Sequence, residues 1–237
     1  MRVRLPFLFA ALVVALFSPL WWRAVLVLLP GFGVELVEIT GARLLAPHHA
    51  LALAGVREGE SVWSHPERWA AGLRRHPLVA GVEVERELPG TLRIRVRERR
   101  PVALVERAAL RPVSAAGALL PVNPATAGLD LPLIRGAKEQ DLARTAARIS
   151  SQEPELFRRL SEVARTPAGD VLLTFAAPPV EAILPPRADD VSLLRLRAVL
   201  LDLERRHGTR PLAGRVIDLR FAGQAVLRAG QTHTPSS

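Results

Sequence analysis

Alternation of apolar and charged residues is clearest between Val79 and Ala103, where the chain reads VAGVEVERELPGTLRIRVRERRPVA. The apolar positions alternate with charged ones on both sides of a Pro-Gly turn: Val82, Val84, Leu92, Ile94 and Val96. A period of two residues is typical of strands with one buried face. The segment therefore predicts a β-hairpin.

The charges predict the register of this hairpin. A loop of Pro89-Gly90-Thr91 places Leu88 opposite Leu92. The exposed face then pairs Glu87 with Arg93, Glu85 with Arg95, and Glu83 with Arg97. Each pair contributes about 0.2–1 kcal/mol, and a slip of one residue would turn the arginines towards the core. Arg86 falls on the apolar face, so we expect it at the rim of the core or in contact with a partner.

Upstream of the hairpin, the pattern predicts a strand followed by two helices. The predicted elements are a strand at Val34–Thr40, a helix from Pro47 through Leu53 that ends at Gly55, and a helix capped by Ser64 that begins near Pro66 and ends at His76-Pro77. Trp63 and Trp69 are expected in the core. The order β-α-α-β-β over residues 34–100 predicts a three-stranded sheet with two helices on one face.

Pro101 marks a boundary, because proline cannot donate a hydrogen bond within a central strand. Residues 101–229 are expected to form a second domain, rich in strands with some helices. Expected strands are Ala103–Val105, Ala118–Leu120, Val171–Phe175, Val180–Leu184, Arg215–Phe221 and Ala225–Arg228, with a turn at residues 131–136. Expected helices are Glu139–Ser151, Glu155–Ala164 and Asp189–Arg206. The polar tail at residues 230–237 is predicted to be disordered.

The N-terminus predicts a membrane anchor at residues 5–29. No charge occurs between Leu5 and Trp22, which is enough chain for a transmembrane helix. Arg2 and Arg4 should hold residues 1–4 in the cytoplasm, so the chain beyond the anchor is expected in the periplasm. A cleaved signal peptide is the main alternative, but the apolar run is long for one and no cleavage motif precedes a polar start.

The composition argues against several classes of function. The net charge is +9, but the arginines are interleaved with acidic residues and do not form the patches that nucleic-acid binding requires. The absence of cysteine decides nothing about the compartment. His48 and His49 are adjacent and cannot both face one metal ion from a helix. No phosphate-binding loop, nucleophile motif or carboxylate pair of a cell-wall hydrolase is found, so we expect neither an enzyme, a cofactor nor a small-molecule substrate.

Several segments in their order resemble one bacterial family. They are the N-terminal anchor, VELVEITG, Gly55 and Gly59, His76-Pro77, LPGTLRIRVRERRPVA, LPLIRG and RVIDLRF. Together they resemble the cell-division protein family FtsQ, also called DivIB. The resemblance implies an α+β protein of the inner membrane with one transmembrane helix, a POTRA domain and a second β-rich domain. It also implies a non-catalytic scaffold at the division septum that binds FtsB, FtsL and other divisome components. A POTRA protein that transports polypeptides is the alternative, but such proteins carry repeated POTRA units or a membrane barrel, and neither is visible.

The resemblance implies a partner-binding edge in the last strands. The matching positions are Asp218, Leu219, Arg220 and Phe221, followed by Val226 and Arg228. An unpaired edge strand can bind a partner strand through its backbone, and arginine and aromatic residues are enriched at such interfaces. Alternation supports another interpretation, in which Ile217, Leu219 and Phe221 are core residues and Asp218 forms a solvated pair with Arg220. Both interpretations stay open.

Overall fold

The computed structural model describes residues 13–14, 32–207, 214–221 and 223–229. The predicted anchor, apart from Val13 and Val14, and the predicted tails lie outside the described residues. Within those residues, no helix combines the length and the apolar character that crossing a bilayer requires. The chain divides into two compact units, Met1–Arg99 and Arg100–Ser237.

Between residues 32 and 99, the first unit forms three strands and two helices. The elements are β1 (Leu36–Thr40), α1 (Pro47–Ala54), α2 (Pro66–Arg74), β2 (Val79–Glu87) and β3 (Thr91–Glu98). The sheet has the order β1-β3-β2, in which β3 is parallel to β1 and antiparallel to β2. The predicted order β-α-α-β-β is confirmed.

The core of the first unit forms around Trp69, which is fully buried with Val34, Val62 and Leu92. Trp63 is partly buried and packs against this cluster, as the sequence predicts. Helix α1 ends at Gly55, whose positive φ of 61° suits glycine. The N-cap of α2 is His65, so the prediction of a Ser64 cap is wrong. Pro66 at the first helical position fixes the cap at the residue before it.

The hairpin forms as predicted, but its predicted register is wrong by two residues. Glu85 faces Arg93 and Arg86 faces Leu92, which leaves Leu88, Pro89 and Gly90 as the loop. The reason lies in β1. The carbonyl oxygen of Gly90 accepts hydrogen bonds from the backbone N–H groups of Glu35 (2.8 Å) and Leu36 (3.2 Å). Gly90 is therefore fixed beside the first strand.

A shift of two residues preserves the faces of both strands, so most predicted charge pairs survive as diagonal contacts. Arg93 contacts Glu87 at 2.8 Å, and Arg95 contacts Glu85 at 3.3 Å. Arg97 faces Gly81 instead of Glu83. Arg86 lies at the rim of the core, where its Nε donates to the carbonyl oxygen of Val62 at 2.7 Å.

In the part of the second unit that the structure describes, the strands form one eight-stranded sheet. Its strands are β4 (Pro101–Glu106), β5 (Leu110–Ser114), β6 (Leu133–Arg135), β7 (Leu160–Arg165), β8 (Val171–Ala176), β9 (Pro179–Leu184), β10 (Arg215–Asp218) and β11 (Val226–Ala229). Its helices are α3 (Glu139–Gln152), α4 (Pro154–Arg159) and α5 (Asp190–His207). The strand order is β11-β10-β9-β8-β7-β6-β4-β5, and buried side chains of the helices join those of the sheet in one core.

Before β8, three predictions in this unit are wrong in detail. The helix predicted at Glu155–Ala164 ends at Arg159, because Leu160 begins β7 and pairs with β8. The predicted turn at residues 131–136 contains the short strand β6. Residues Ala118–Leu120 form no strand and are joined to β5 only by a bridge between Leu119 and Val113. Strand β5 itself was not predicted, because Pro112 lies within it. The α+β class with a β-rich C-terminal part is confirmed.

Candidate partner-binding edge of the second sheet

The two edges of the eight-stranded sheet differ. At one edge, β5 is covered by the segment that follows it: the N–H of Ser114 donates to the carbonyl oxygen of Ala118 at 3.0 Å, and the N–H of Leu120 donates to that of Pro112 at 2.8 Å. Leu120 is fully buried. At the other edge, β11 pairs with β10 alone among the described residues. The open edge of this sheet is therefore β11.

Strand β10 is an interior strand. It is antiparallel to β11 on one side, with Asp218 opposite Val226, and parallel to β9 on the other. The predicted strand at Arg215–Phe221 ends at Asp218, and the N–H of Leu219 still donates to the carbonyl oxygen of Ile183 at 2.8 Å. Of the six predicted site residues, Val226 and Arg228 thus lie on the edge strand itself.

Asp218 and Leu219 are both buried, with relative exposures of 0% and 1%. Leu219 belongs to the core together with Ile217, as alternation predicts. The prediction that Asp218 forms a solvated pair is wrong, since its carboxylate has no contact with solvent. Neither side chain is on the surface that a partner would meet.

Asp218 belongs to a cluster of four charged side chains. The carboxylate accepts hydrogen bonds from Nη2 of Arg220 at 2.7 Å and from Nε of Arg220 at 2.9 Å, and Nη2 of Arg228 lies 3.2 Å away. Nη1 of Arg220 extends to Asp170 at 3.0 Å. A buried carboxylate is stable when it is paired and hydrogen-bonded in this way. We call Asp170, Asp218, Arg220 and Arg228 the charge cluster.

The contacts within the charge cluster shift the pKa values of Asp218 and Arg220 in opposite directions. The hydrogen bonds from Arg220 lower the pKa of Asp218, and this effect outweighs burial, which acts in the opposite direction. The same contacts with Asp218 and Asp170 raise the pKa of Arg220. Both groups are therefore charged at neutral pH, and Arg228 links the edge strand to them.

The turn between β10 and β11 is fixed by helix α5. Nη2 of Arg195 donates to the carbonyl oxygens of Phe221 (3.0 Å) and Gln224 (2.9 Å). Phe221 is 50% exposed, and the guanidinium of Arg220 lies 5.8 Å from the centre of its ring. Phe221 thus presents an exposed aromatic side chain in the turn before β11, and the interpretation that places it in the core is wrong.

Sequence reasoning missed Asp170 and Arg195. Asp170 lies 50 residues from Arg220 and Arg195 lies 26 residues from Phe221, so no local pattern connects them. An acidic residue directly before a strand is the only signal for Asp170.

The open edge strand β11 and the exposed ring of Phe221 together have the features of a strand-binding surface. Among the described residues, no group of three or more ligand side chains could hold a metal ion.

Comparison with known proteins identifies the family. Residues 32–99 match the family model described as POTRA domain, FtsQ-type. The cell division protein FtsQ of Rhodothermus marinus is 30% identical to the chain over 81% of this chain and 76% of its own length. The chain belongs to the FtsQ/DivIB family. The match confirms the family resemblance and the POTRA domain.

Other FtsQ/DivIB proteins match shorter stretches of the chain. FtsQ of Geotalea daltonii is 36% identical over 49% of this chain, and DivIB of Geobacillus kaustophilus is 30% identical over 54%. The matched region spans 42% of the Geotalea protein and 50% of the Geobacillus protein. All these relatives are named cell division proteins, which supports a role in division for this chain.

Proposed function

We propose that this chain is a non-catalytic scaffold of the cell-division machinery. In this proposal residues 5–29 anchor it in the inner membrane, the N-terminus is cytoplasmic, and the two units act in the periplasm at the septum. It recruits FtsB and FtsL-type proteins and so links early to late division proteins. The observation that carries the proposal is the open edge strand β11 beside an exposed aromatic ring, in a chain of the FtsQ/DivIB family.

The binding mechanism follows from the backbone of β11. A strand at the edge of a sheet has N–H and C=O groups on its outer side that a partner strand satisfies. Val226 and Arg228 lie on this strand, Leu227 is 38% exposed, and Phe221 lies at the end of the preceding turn. Backbone pairing would provide affinity, while these side chains would select the partner.

The charge cluster gives the inner residues a different role from the one implied by the resemblance. Arg220 is held by Asp218 and Asp170, so we assign it to positioning Phe221 and not to direct contact with the partner. Asp218 attaches β11 through Arg228. Holding an edge in its bound conformation before the partner arrives reduces the entropy lost on binding.

Binding to the extracytoplasmic segment of FtsB tests the edge. In the full-length chain, Phe221→Ala combined with Leu227→Ala should weaken binding about ten-fold or more, because exposed aromatic and apolar side chains dominate such interfaces. Leu110→Ala is the matched control, since Leu110 is an exposed leucine of the covered edge strand β5. Unchanged binding by the double variant, with an unchanged circular dichroism spectrum, would exclude β11 as the site.

Depletion of the protein tests the cellular role. Cells that lose a scaffold of the division machinery should grow without dividing and become filamentous. Restoring the full-length chain should restore division. Normal division after depletion, in cells with no second copy of the gene, would contradict the proposed function.

A further inference from the structure

Helix α5 has a second apolar face that points away from the core. Its inner face is formed by the buried residues Leu193, Leu196 and Leu200. On the opposite face Val191 is 62% exposed, Leu194 is 56% exposed and Leu201 is 40% exposed, and Ala198 between them is also exposed. We call Val191, Leu194, Ala198 and Leu201 the outer stripe. Since each residue advances 100° around a helix, the outer stripe lies about opposite the buried face.

The spacing of the outer stripe is that of a coiled-coil seam. Its members follow one another at intervals of three, four and three residues, so Val191 and Ala198 occupy a positions and Leu194 and Leu201 occupy d positions. A continuous apolar stripe in solvent is a sign of an interaction surface. In parallel coiled coils, a β-branched residue at a, as Val191 is here, with leucine at d favours two helices over three or four.

The charges beside the outer stripe indicate which partner fits. Asp190 and Arg197 lie at g positions on one side, and Arg195 and Asp202 lie at e positions on the other. In a parallel pair, a g residue meets the e residue five positions later in the second helix. Asp190 would then meet Arg195 of a second copy, and Arg197 would meet Asp202. The symmetry of the pair doubles these contacts to four, all between opposite charges.

An antiparallel pairing of the same stripe is disfavoured. Aligning Val191 with Leu201 of the second copy and Leu194 with Ala198 would bring e positions near e positions and g positions near g positions. Arg195 would then approach Arg195, and Arg197 would approach Arg197. Like charges at close range oppose association. The charges beside the outer stripe therefore complement those of a second copy of α5, and they favour the parallel over the antiparallel direction.

The present contacts of the flanking charges leave them able to meet a second helix. Asp190 and Asp202 form surface pairs with Arg148 and Arg206, which contribute little to stability, so both carboxylates can turn at low cost. Arg197 is 54% exposed but pairs with the buried carboxylate of Glu153 at 3.5 Å, and Nη2 of Arg195 donates to the turn between β10 and β11. Each guanidinium has five N–H donors, so these arginines can keep their contacts and still meet an aspartate of the second copy.

We infer that a second copy of this chain docks on the outer stripe, so that two α5 helices form a parallel pair. The stripe covers one and a half heptads, fewer than an independent coiled coil needs, so the pair forms where the protein is concentrated. The inference rests on α5 alone. It does not depend on the proposed binding of FtsB at β11.

Engineered cysteines test the pairing, because the chain has none of its own. In a parallel pair identical residues face each other, so the purified full-length chain with Leu194→Cys or Leu201→Cys should form disulfide-linked dimers. Cross-linking should be about ten-fold faster than for Leu110→Cys, an exposed leucine elsewhere in the unit, because pairing raises the effective concentration of the thiols. Equal rates at the three positions would overturn the inference. Preferential linkage of Val191→Cys to Leu201→Cys in a mixture would overturn the parallel direction.

A charge exchange adds a test that depends on the direction of pairing. In the Leu194→Cys chain, Asp202→Arg should slow cross-linking because it places two arginines together, and adding Arg197→Asp should restore the original rate. Failure of the second change to restore the rate, in variants with unchanged circular dichroism, would contradict the pairing. A photo-reactive residue at position 194 in cells should produce adducts of two copies. Adducts with other proteins alone would overturn the inference.

Discussion

Among individual residues of the second unit, Asp218 combines full burial with contacts to two arginines. Its carboxylate is fully buried and is contacted by Arg220 and Arg228, and Arg220 also contacts Asp170. Removing one partner from a buried pair is costly, because the remaining charge keeps its burial but loses its compensation. The pairing of β10 with β11 therefore depends on this carboxylate.

The first prediction is that Asp218→Asn lowers the free energy of unfolding of the second unit by about 1.5–3 kcal/mol, the range for a lost charged hydrogen bond. All four tryptophans precede Arg99, so tryptophan fluorescence in urea follows the first unit, and the part of the circular dichroism change that fluorescence does not show belongs to the second. Asp202→Asn is the control, because its side chain is 53% exposed and should change the value by less than about 0.5 kcal/mol. Equal effects of both variants would contradict the assigned role of Asp218.

The second prediction concerns pH. Because the pKa of Asp218 is lower in the folded chain than in the unfolded one, the unfolded chain binds the proton first as pH falls. The contribution of Asp218 to stability is therefore complete above the unfolded pKa of about 3.9 and is lost as pH falls further towards the folded value. Asp218→Asn should flatten this part of the stability profile measured by urea unfolding. An unchanged profile would show that Asp218 keeps its ordinary pKa.

The residues of the candidate site were predictable only in part. The family resemblance and the residue types identify Phe221, Val226 and Arg228, and the structure leaves Phe221 and Arg228 exposed. Alternation correctly places Leu219 in the core. Nothing local predicts that Asp218 is buried, because its burial is made possible by Asp170 in a distant turn and by Arg228 on another strand.

Among the elements, the contact between α1 and α2 depends on a single glycine. A Cβ atom at Gly72 would overlap the carbonyl oxygen of Leu53. Backbone atoms cannot rotate away as a side chain can, so the two helices would have to separate. Their separation would also disturb Trp69, which lies on α2 in the centre of the core.

The third prediction is that Gly72→Ala lowers the free energy of unfolding of the POTRA domain by about 2 kcal/mol, as overpacking does. Helix propensity alone predicts a gain of about 1 kcal/mol for this substitution, so the sign of the change is decisive. Tryptophan fluorescence in urea measures it, since Trp69 is in the same helix. Glu67→Ala on the exposed side of α2 should change stability by less than about 1 kcal/mol. A stabilised Gly72→Ala variant would refute the close packing.

At the scale of elements, local patterns predict where a strand lies and which face it buries, but they do not predict its register. Alternation identified the hairpin and its two faces from neighbouring residues alone. Its register depends on hydrogen bonds between Gly90 and Glu35, which are far apart in sequence. Leu160 and Val163 fit either a helix or a strand by spacing, and pairing with β8 decides for a strand.

For the whole molecule, several short motifs follow one another in the order that the FtsQ/DivIB family has. This order predicted the POTRA domain and the β-rich second part. The resemblance implied an edge in the last strands, but neither it nor the pattern predicted that the opposite edge is covered. That cover depends on how residues 114–120 fold back on β5, and a strand predicted there at Ala118–Leu120 forms only a bridge.

The fourth prediction tests the orientation of the whole chain. A reporter enzyme that is active only outside the cytoplasm, fused after Ser237, should be active, since the apolar run from Leu5 to Trp22 and the preceding arginines predict an N-terminus inside the cell. The same reporter fused to residues 32–237 alone should be inactive. An inactive full-length fusion that is expressed normally would reject this topology.

The unequal edges of the large sheet also limit the stoichiometry of any complex formed by strand addition. A chain whose two sheet edges were both open could join β11 of one molecule to β5 of the next and grow into a filament. Here the N–H of Ser114 and the carbonyl oxygen of Pro112 on β5 are already used by Ala118 and Leu120. In the proposed mode of binding, one strand added at β11 would therefore give a one-to-one complex and not a growing filament.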